Sequence, residues 1–156
     1  MPDLITHFAA AYILKTPSRW SRFRVPFYLG AILPDLLSRP FYILYPPATY
    51  IVYSLHTPVI SAVICLLIAQ FFEGEIRSRV RTNLLLGITL HYGLDLLQKH
   101  VIVPYFWFFP FSWKTFELGL FWPEDSLQLV PVWISLVLII EVILQVKKRI
   151  RKTQVN

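Results

Sequence analysis

The chain has 156 residues, of which 56% are hydrophobic, 16% aromatic and only 15% charged, and its mean hydropathy is +0.56. A soluble domain is typically about 45–50% apolar and about 25% charged, so this composition excludes a water-soluble globule and a disordered chain. The charge is unbalanced, with 15 Lys and Arg against 9 Asp and Glu. Because basic loops hold membrane proteins on the cytoplasmic side, we interpret this excess as a topology signal, which argues against a nucleic-acid partner.

Five apolar segments follow one another along the chain and predict helices. They are residues 4–14, 25–37, 58–72, 83–97 and 126–146. Gly30 and Pro34 interrupt the second segment, and only the fifth reaches the about 17–25 residues of a spanning helix. The four shorter segments are either extended by flanking aromatic residues or form helices of a bundle partly sunk in the membrane. We predict an all-α, compact integral membrane bundle of four to five helices with an aromatic-rich outer loop.

The basic residues are sorted between the connections in a way that predicts topology. Twelve of the 15 lie in the linkers 15–24 and 73–82 and in the tail, whereas the other connections hold Arg39, Lys99 and Lys114. The positive-inside rule places the basic set in the cytoplasm, so the N-terminus and the loops 39–55 and 99–125 face outward. We therefore expect a multi-pass domain over residues 1–146, embedded in the lipid bilayer, and a basic cytoplasmic tail over 147–156.

The outward loop 103–122 is unusually rich in aromatic residues, among them Tyr105, Trp107, Trp113 and Trp122. Aromatic rings of this density are typical of the membrane–water interface, where their amphipathic rings settle. An aromatic ligand pocket is the alternative, and the sequence leaves both interpretations open.

Five ionisable residues lie within the apolar segments or at their ends. Burying a charge in an apolar environment is energetically unfavourable, so each of them requires an explanation. They are His7, Asp35, His56, His91 and Asp95. The predicted topology places all five in the outer half of the membrane, although nothing in the charge count requires that. His91 and Asp95 are spaced i, i+4, so on a helix they share one face and both can reach one metal ion. Imidazole and carboxylate are the usual ligands of Zn²⁺ in sites without thiolates.

Each of these residues also has a simpler interpretation when it is taken alone. His91 and Asp95 can form a hydrogen-bonded pair between helices, and His7 can be an ordinary core histidine. Asp35 after a proline can be a turn residue or a cap, and His56 can cap the next helix. Taken together, their convergence on one depth favours a metal site.

The remaining candidates lie in the outer loop. His100 is expected to be a solvated interface residue, and Glu117, Glu124 and Asp125 are spare ligand candidates. The sequence holds no GxSxG, Walker loop, CxxC or HExxH pattern, so serine-hydrolase, NTPase and zincin activities lack support.

The order of these motifs resembles a known family. The pattern comprises Thr6-His7-Phe8, Gly30-Ala31-Ile32-Leu33-Pro34-Asp35, Leu55-His56-Thr57-Pro58, His91-Tyr92-Gly93-Leu94-Asp95 and Pro110-Phe111-Ser112. It resembles the bacterial membrane-bound, metal-dependent hydrolase family, also known as LexA-binding, inner-membrane-associated hydrolases. More distantly it is similar to zinc-dependent phospholipase C and P1 nuclease, although the further His/His/Glu set that those enzymes carry downstream is missing here.

The resemblance implies a bacterial inner-membrane location, a mostly helical fold and phosphoester hydrolysis. It implies that His7, Asp35, His56, His91 and Asp95 ligate a divalent metal, most simply one or two Zn²⁺ ions. The expected function is hydrolysis of an amphiphilic, lipid-like or phosphoester substrate by a metal-activated water, with Asp35 or Asp95 orienting that water or accepting its proton.

Two other functions remain open at this stage. One is a non-catalytic metal-binding membrane protein with a structural or interaction role. The other is a small transporter, but an ion path needs ionisable residues through the whole membrane depth, whereas these are expected in one half.

Overall fold

A computed structural model describes residues 4–16, 23–100 and 105–153 of the chain. The α-helices, in chain order, are α1 (Leu4–Lys15), α2 (Arg24–Leu44), α3 (Thr49–Leu55), α4 (Pro58–Ala69), α5 (Gly74–Leu97), α6 (Pro123–Gln128) and α7 (Val130–Thr153), with a short 3-10 helix at Pro46–Ala48. Within the described ranges, extended backbone forms only isolated bridges. The prediction of an all-α fold is confirmed, but these ranges contain seven α-helices rather than four to five.

Two of the predicted connections are helical instead. α2 continues through Gly30, Pro34 and Pro40 to Leu44, so the predicted interruption and the loop start at residue 39 were wrong. A proline inside a helix is tolerated where neighbouring helices support it, and tertiary packing outweighs local propensity here. The basic linker 73–82 likewise forms the first turns of α5. Arg19 and Arg22 of the first basic linker lie outside the described residues.

α2 and α5 cross in close contact because two glycines face each other. A Cβ built on Gly30 would lie 2.2 Å from the backbone oxygen of Leu84, and one built on Gly87 would lie 2.2 Å from that of Phe27. The two backbones therefore touch directly, as at the small-residue contacts of membrane helices. This contact brings the C-terminal halves of both helices together, and those halves carry the candidate ligands.

α7 lies beside α1 and runs in the same direction. Near the start of α1, the hydroxyl of Thr6 contacts that of Ser126 in α6, which directly precedes α7. Further along, Tyr12 of α1 donates a hydrogen bond to Glu141 of α7. The helical stretch Pro123–Arg151 has 29 residues, and an 18-residue window within it has a mean hydropathy of 2.4. Among the described residues it is the one helix long and apolar enough to cross a membrane. α1 and α4 are apolar but shorter.

Candidate metal centre

The five predicted residues come together from separate parts of the fold. His7 lies on α1, Asp35 on α2, and His91 and Asp95 on α5, whereas His56 lies between α3 and α4. His56 is 1% exposed and the other four are 0% exposed. Ionisable groups are almost never fully buried unless they are paired or coordinate a metal. Their mutual geometry decides between those two explanations.

Three of the side chains point their ligand atoms at one another. Nε2 of His56 lies 2.9 Å from Oδ2 of Asp95, Nε2 of His91 lies 3.3 Å from the same oxygen, and the two Nε2 atoms lie 3.2 Å apart. In tetrahedral Zn²⁺ sites, bonds of about 2.0–2.1 Å place neighbouring ligand atoms about 3.3 Å apart. The triangle therefore has the dimensions of one face of a metal coordination shell.

The Nδ1 atoms of His56 and His91, which face away from the triangle, each have a hydrogen-bond partner. Nδ1 of His91 lies 2.8 Å from the backbone oxygen of Ala31, which only a donor N–H can satisfy. Nδ1 of His56 lies 3.1 Å from Oγ of Ser38, and that hydroxyl donates its own hydrogen to the backbone oxygen of Pro34 at 2.9 Å. The carbonyl of Ala31 thus places a hydrogen on Nδ1 of His91, and the contact with Ser38 allows the same tautomer for His56. In that neutral tautomer, both Nε2 lone pairs point into the triangle. Such outer contacts are the usual way that proteins orient metal-binding histidines.

His7 completes the group from the opposite side. Its ring stacks on that of His91, with centroids 4.0 Å apart, and its Nε2 lies 3.2 Å from Oδ1 of Asp95. Within the described part of the chain, neither ring nitrogen of His7 has a hydrogen-bond partner, because the contact with Asp95 lacks hydrogen-bonding geometry. Asp95 therefore faces histidines with both of its carboxylate oxygens.

The ligand atoms form two overlapping sets that can each hold a metal ion. One set is His7, Asp35 and His91, the other is His56, His91 and Asp95, and within each set the atoms lie within 4.8 Å of one another. Imidazole and carboxylate donors without thiolate suit Zn²⁺ and related divalent ions. His91 belongs to both sets, but its Nε2 can bind an ion in only one set at a time.

Asp35 has an additional partner that the sequence analysis missed. Its Oδ2 lies 2.8 Å from a guanidinium nitrogen of Arg39, one helical turn further along α2. The i, i+4 spacing was a usable signal, but the predicted helix ended at Leu37 and so placed Arg39 in a loop. Asp35 lies in the interior of α2, so its interpretation as a turn residue or cap was wrong.

Tyr105 of the outer loop packs directly against the cluster. Its ring stacks on that of His56, with centroids 4.4 Å apart, and its side chain is 0% exposed. Burial raises the pKa of the Tyr105 hydroxyl well above its usual range, and the charges of Asp95 and Asp35 raise it further. Tyr105 is thus a neutral, buried wall of the site, whereas its loop neighbours Phe111 and Trp113 are exposed.

The remaining loop candidates lie outside the two ligand sets. The side chain of His100 is 5% exposed, and its Nδ1 lies 2.6 Å from Oε2 of Glu117, so the prediction that His100 is solvated was wrong. Asp125 accepts a hydrogen bond from the backbone N–H of Trp122 at the start of α6, and Glu124 is exposed. A cap and a surface position explain these two acids without a metal.

No protein-family model, curated protein or solved structure matches this chain. The interpretation of the site therefore rests on its own geometry.

Proposed function

We propose that this protein is a membrane-embedded, metal-dependent hydrolase that acts on a phosphoester or lipid-like substrate. The observation that carries the proposal is the triangle of His56, His91 and Asp95, whose possible ligand atoms lie 2.9, 3.2 and 3.3 Å apart, as they do around one tetrahedral metal ion. Zn²⁺ is the ion that this donor set fits best.

The membrane part of the proposal rests on helix directions and lengths. Lys15, the arginines around Arg79, and the tail lie at one end of α1, α5 and α7, and the cluster lies away from that end. At 1.5 Å per residue, His7 is about 12 Å from Lys15, and His91 is about 18 Å from Arg79. In a hydrocarbon layer of about 30 Å, the cluster would lie near mid-depth, with the basic ends in the cytoplasm of a multi-pass, inner-membrane protein.

A divalent ion held here would supply Lewis-acid polarisation of a phosphoryl oxygen and a nucleophile from water at neutral pH. Different side chains of the protein would have different roles around that ion. Asp95 holds the histidines with both oxygens, and Asp35 is placed to orient a water or accept its proton. Arg39, held at 2.8 Å by Asp35, would bring a fixed positive charge beside a phosphate.

One observation favours a second candidate, a metal-binding membrane protein without catalysis. All five ligand residues are at most 1% exposed, so a substrate reaches the ion only if the outer loop moves. A structural ion that ties α1, α2 and α5 together needs no such movement.

The test compares detergent-purified wild type with Asp95→Asn and with Glu124→Gln, a matched carboxylate change at an exposed position. Elemental analysis should find Zn²⁺ or another divalent ion in wild type and Glu124→Gln, and at least a tenfold loss in Asp95→Asn. A panel of phosphoesters and phospholipids should show turnover that disappears with the metal. Equal metal content in all three proteins would overturn the metal site, whereas retained metal with no turnover would favour the structural role.

A further inference from the structure

A second group of polar side chains lies at the end of α5 and in the outer loop. Gln98 and Tyr105 are 0% exposed, and the side chain of His100 is 5% exposed. Within the described ranges, four of their polar atoms have no hydrogen-bond partner: both amide atoms of Gln98, Nε2 of His100 and the Tyr105 hydroxyl. Buried polar groups in folded proteins are almost always hydrogen-bonded, so a concentration of this kind indicates groups that meet a ligand.

His100 and Tyr105 contact one another beside the metal cluster, and Gln98 lies two residues before His100 in the sequence. Backbone around Gln98 is extended, with ψ 144°, so Gln98 and His100 share a face, and Lys99 takes the other. The ring of His100 meets that of Tyr105 edge-on at 4.4 Å, and Tyr105 stacks on His56 at 4.4 Å.

Glu117 fixes the orientation of His100. It lies 2.9 Å from the backbone nitrogen of His100 and 2.6 Å from Nδ1 of its ring, and accepts from both. In the tautomer that carries its single ring hydrogen on Nδ1, Nε2 is a hydrogen-bond acceptor. The loop is held in place by backbone hydrogen bonds from Leu118 to Leu96 at 2.8 Å and from Lys99 to the oxygen of Phe121 at 2.9 Å.

The chemistry of this surface matches hydroxyl groups better than anions. Gln98 donates and accepts, the Tyr105 hydroxyl does both, and Nε2 of His100 accepts. An alcohol also donates and accepts, and so it can satisfy all three. The ammonium group of Lys99 lies over the ring of Trp122, 4.5 Å from its centroid, and therefore on the opposite face.

We propose that Gln98, His100 and Tyr105 bind the hydroxyl groups of the substrate's alcohol part while its phosphate lies at the metal cluster. This inference rests on the proposed function and narrows the substrate class to phosphoesters of a polyol such as glycerol.

The experiment measures binding of two non-hydrolysable probes to the Zn²⁺-loaded protein in detergent by isothermal titration calorimetry. Dihydroxybutylphosphonate carries the two hydroxyl groups, and butylphosphonate has the same carbon chain without them. Wild type should bind the hydroxylated probe about tenfold more tightly, which corresponds to one or two net hydrogen bonds. Tyr105→Phe and Gln98→Met should each reduce that preference to about threefold or less, with unchanged metal content and unchanged affinity for butylphosphonate. The matched controls Tyr45→Phe and Gln128→Met change exposed residues and should leave the preference intact.

The outcomes separate this inference from the proposed function. If metal is retained and wild type binds both probes equally, or if both variants keep the full preference, the hydroxyl site is wrong and the metal site stands. If wild type holds no metal and binds neither probe, the proposed function fails and the hydroxyl site fails with it.

Discussion

Replacing Gly87 by alanine tests whether the contact between α2 and α5 positions the metal ligands. The added Cβ would lie 2.2 Å from the backbone oxygen of Phe27 and 2.7 Å from the backbone nitrogen of Ala31. Ordinary carbon–oxygen contacts need about 3.5 Å, so the helices must separate by about 1 Å. Neither neighbour is the end of a flexible side chain, and so the backbone itself must yield. His91 lies one turn further along α5 and contacts the Ala31 oxygen at 2.8 Å, so the same separation would break that bond.

We expect Gly87→Ala to lower the free energy of unfolding by about 1–3 kcal/mol, which is the usual cost of overpacking. It should also weaken metal binding, because the His91 ring loses the acceptor that orients it. The matched control is Gly93→Ala on the same helix, where a Cβ meets nothing within 4 Å. That change should be neutral or stabilise α5 by up to about 1 kcal/mol through helix propensity.

The measurement is reversible unfolding of both variants in mixed micelles, together with elemental analysis after purification. A Gly87→Ala protein that is as stable as Gly93→Ala and holds as much metal would refute the argument. It would mean that the close crossing of α2 and α5 does not control the geometry of the cluster.

Two further substitutions test the surroundings of the site. Ser38→Ala removes the acceptor of the His56 Nδ1–H, so metal affinity should fall about 10–100-fold with little change in helix content by circular dichroism; an unchanged affinity would show that Ser38 does not orient the ring. Tyr12→Phe removes the hydrogen bond to Glu141 and should lower the free energy of unfolding by about 1–2 kcal/mol, because a charged acceptor loses its donor. The same change at exposed Tyr45 should have no effect, and equal stability of the two variants would contradict the proposed attachment of α7 to α1.

The all-α fold and the helix positions of the candidate ligands could be predicted because they depend on local sequence patterns. Apolar segments with helical spacing, and a His–Asp pair four residues apart, place side chains on faces before any tertiary contact is known. Helix ends were less predictable. Pro34 and Pro40 usually end helices, yet α2 contains both, because the contact of Gly30 with α5 holds the backbone in place. Rules based on neighbouring residues cannot predict that contact, because its two sides are distant in the sequence.

The outer contacts of the site depend on pairs that are distant in the sequence. Ala31 and Ser38 contact His91 and His56 through groups that carry no signal of their own, a backbone oxygen and a hydroxyl. The sequence left open whether the aromatic loop lies at the membrane interface or lines a ligand pocket, and in the structure Tyr105 stacks on His56. The loop has two kinds of aromatic residue, and composition alone cannot separate the buried ring from the exposed ones.

The candidate ligands are buried, so the direction from which a substrate would reach them depends on the loop that covers them. Tyr105 packs against His56 from the side of the outer loop, and exposed Phe111 and Trp113 lie in the same loop. Aromatic rings of this kind are stable at the lipid headgroup level. A loop that settles in the interface would hold its polar inner face against the cluster and its apolar outer face against lipid. Under the proposed function, a substrate would therefore approach the cluster from the headgroup side of this loop.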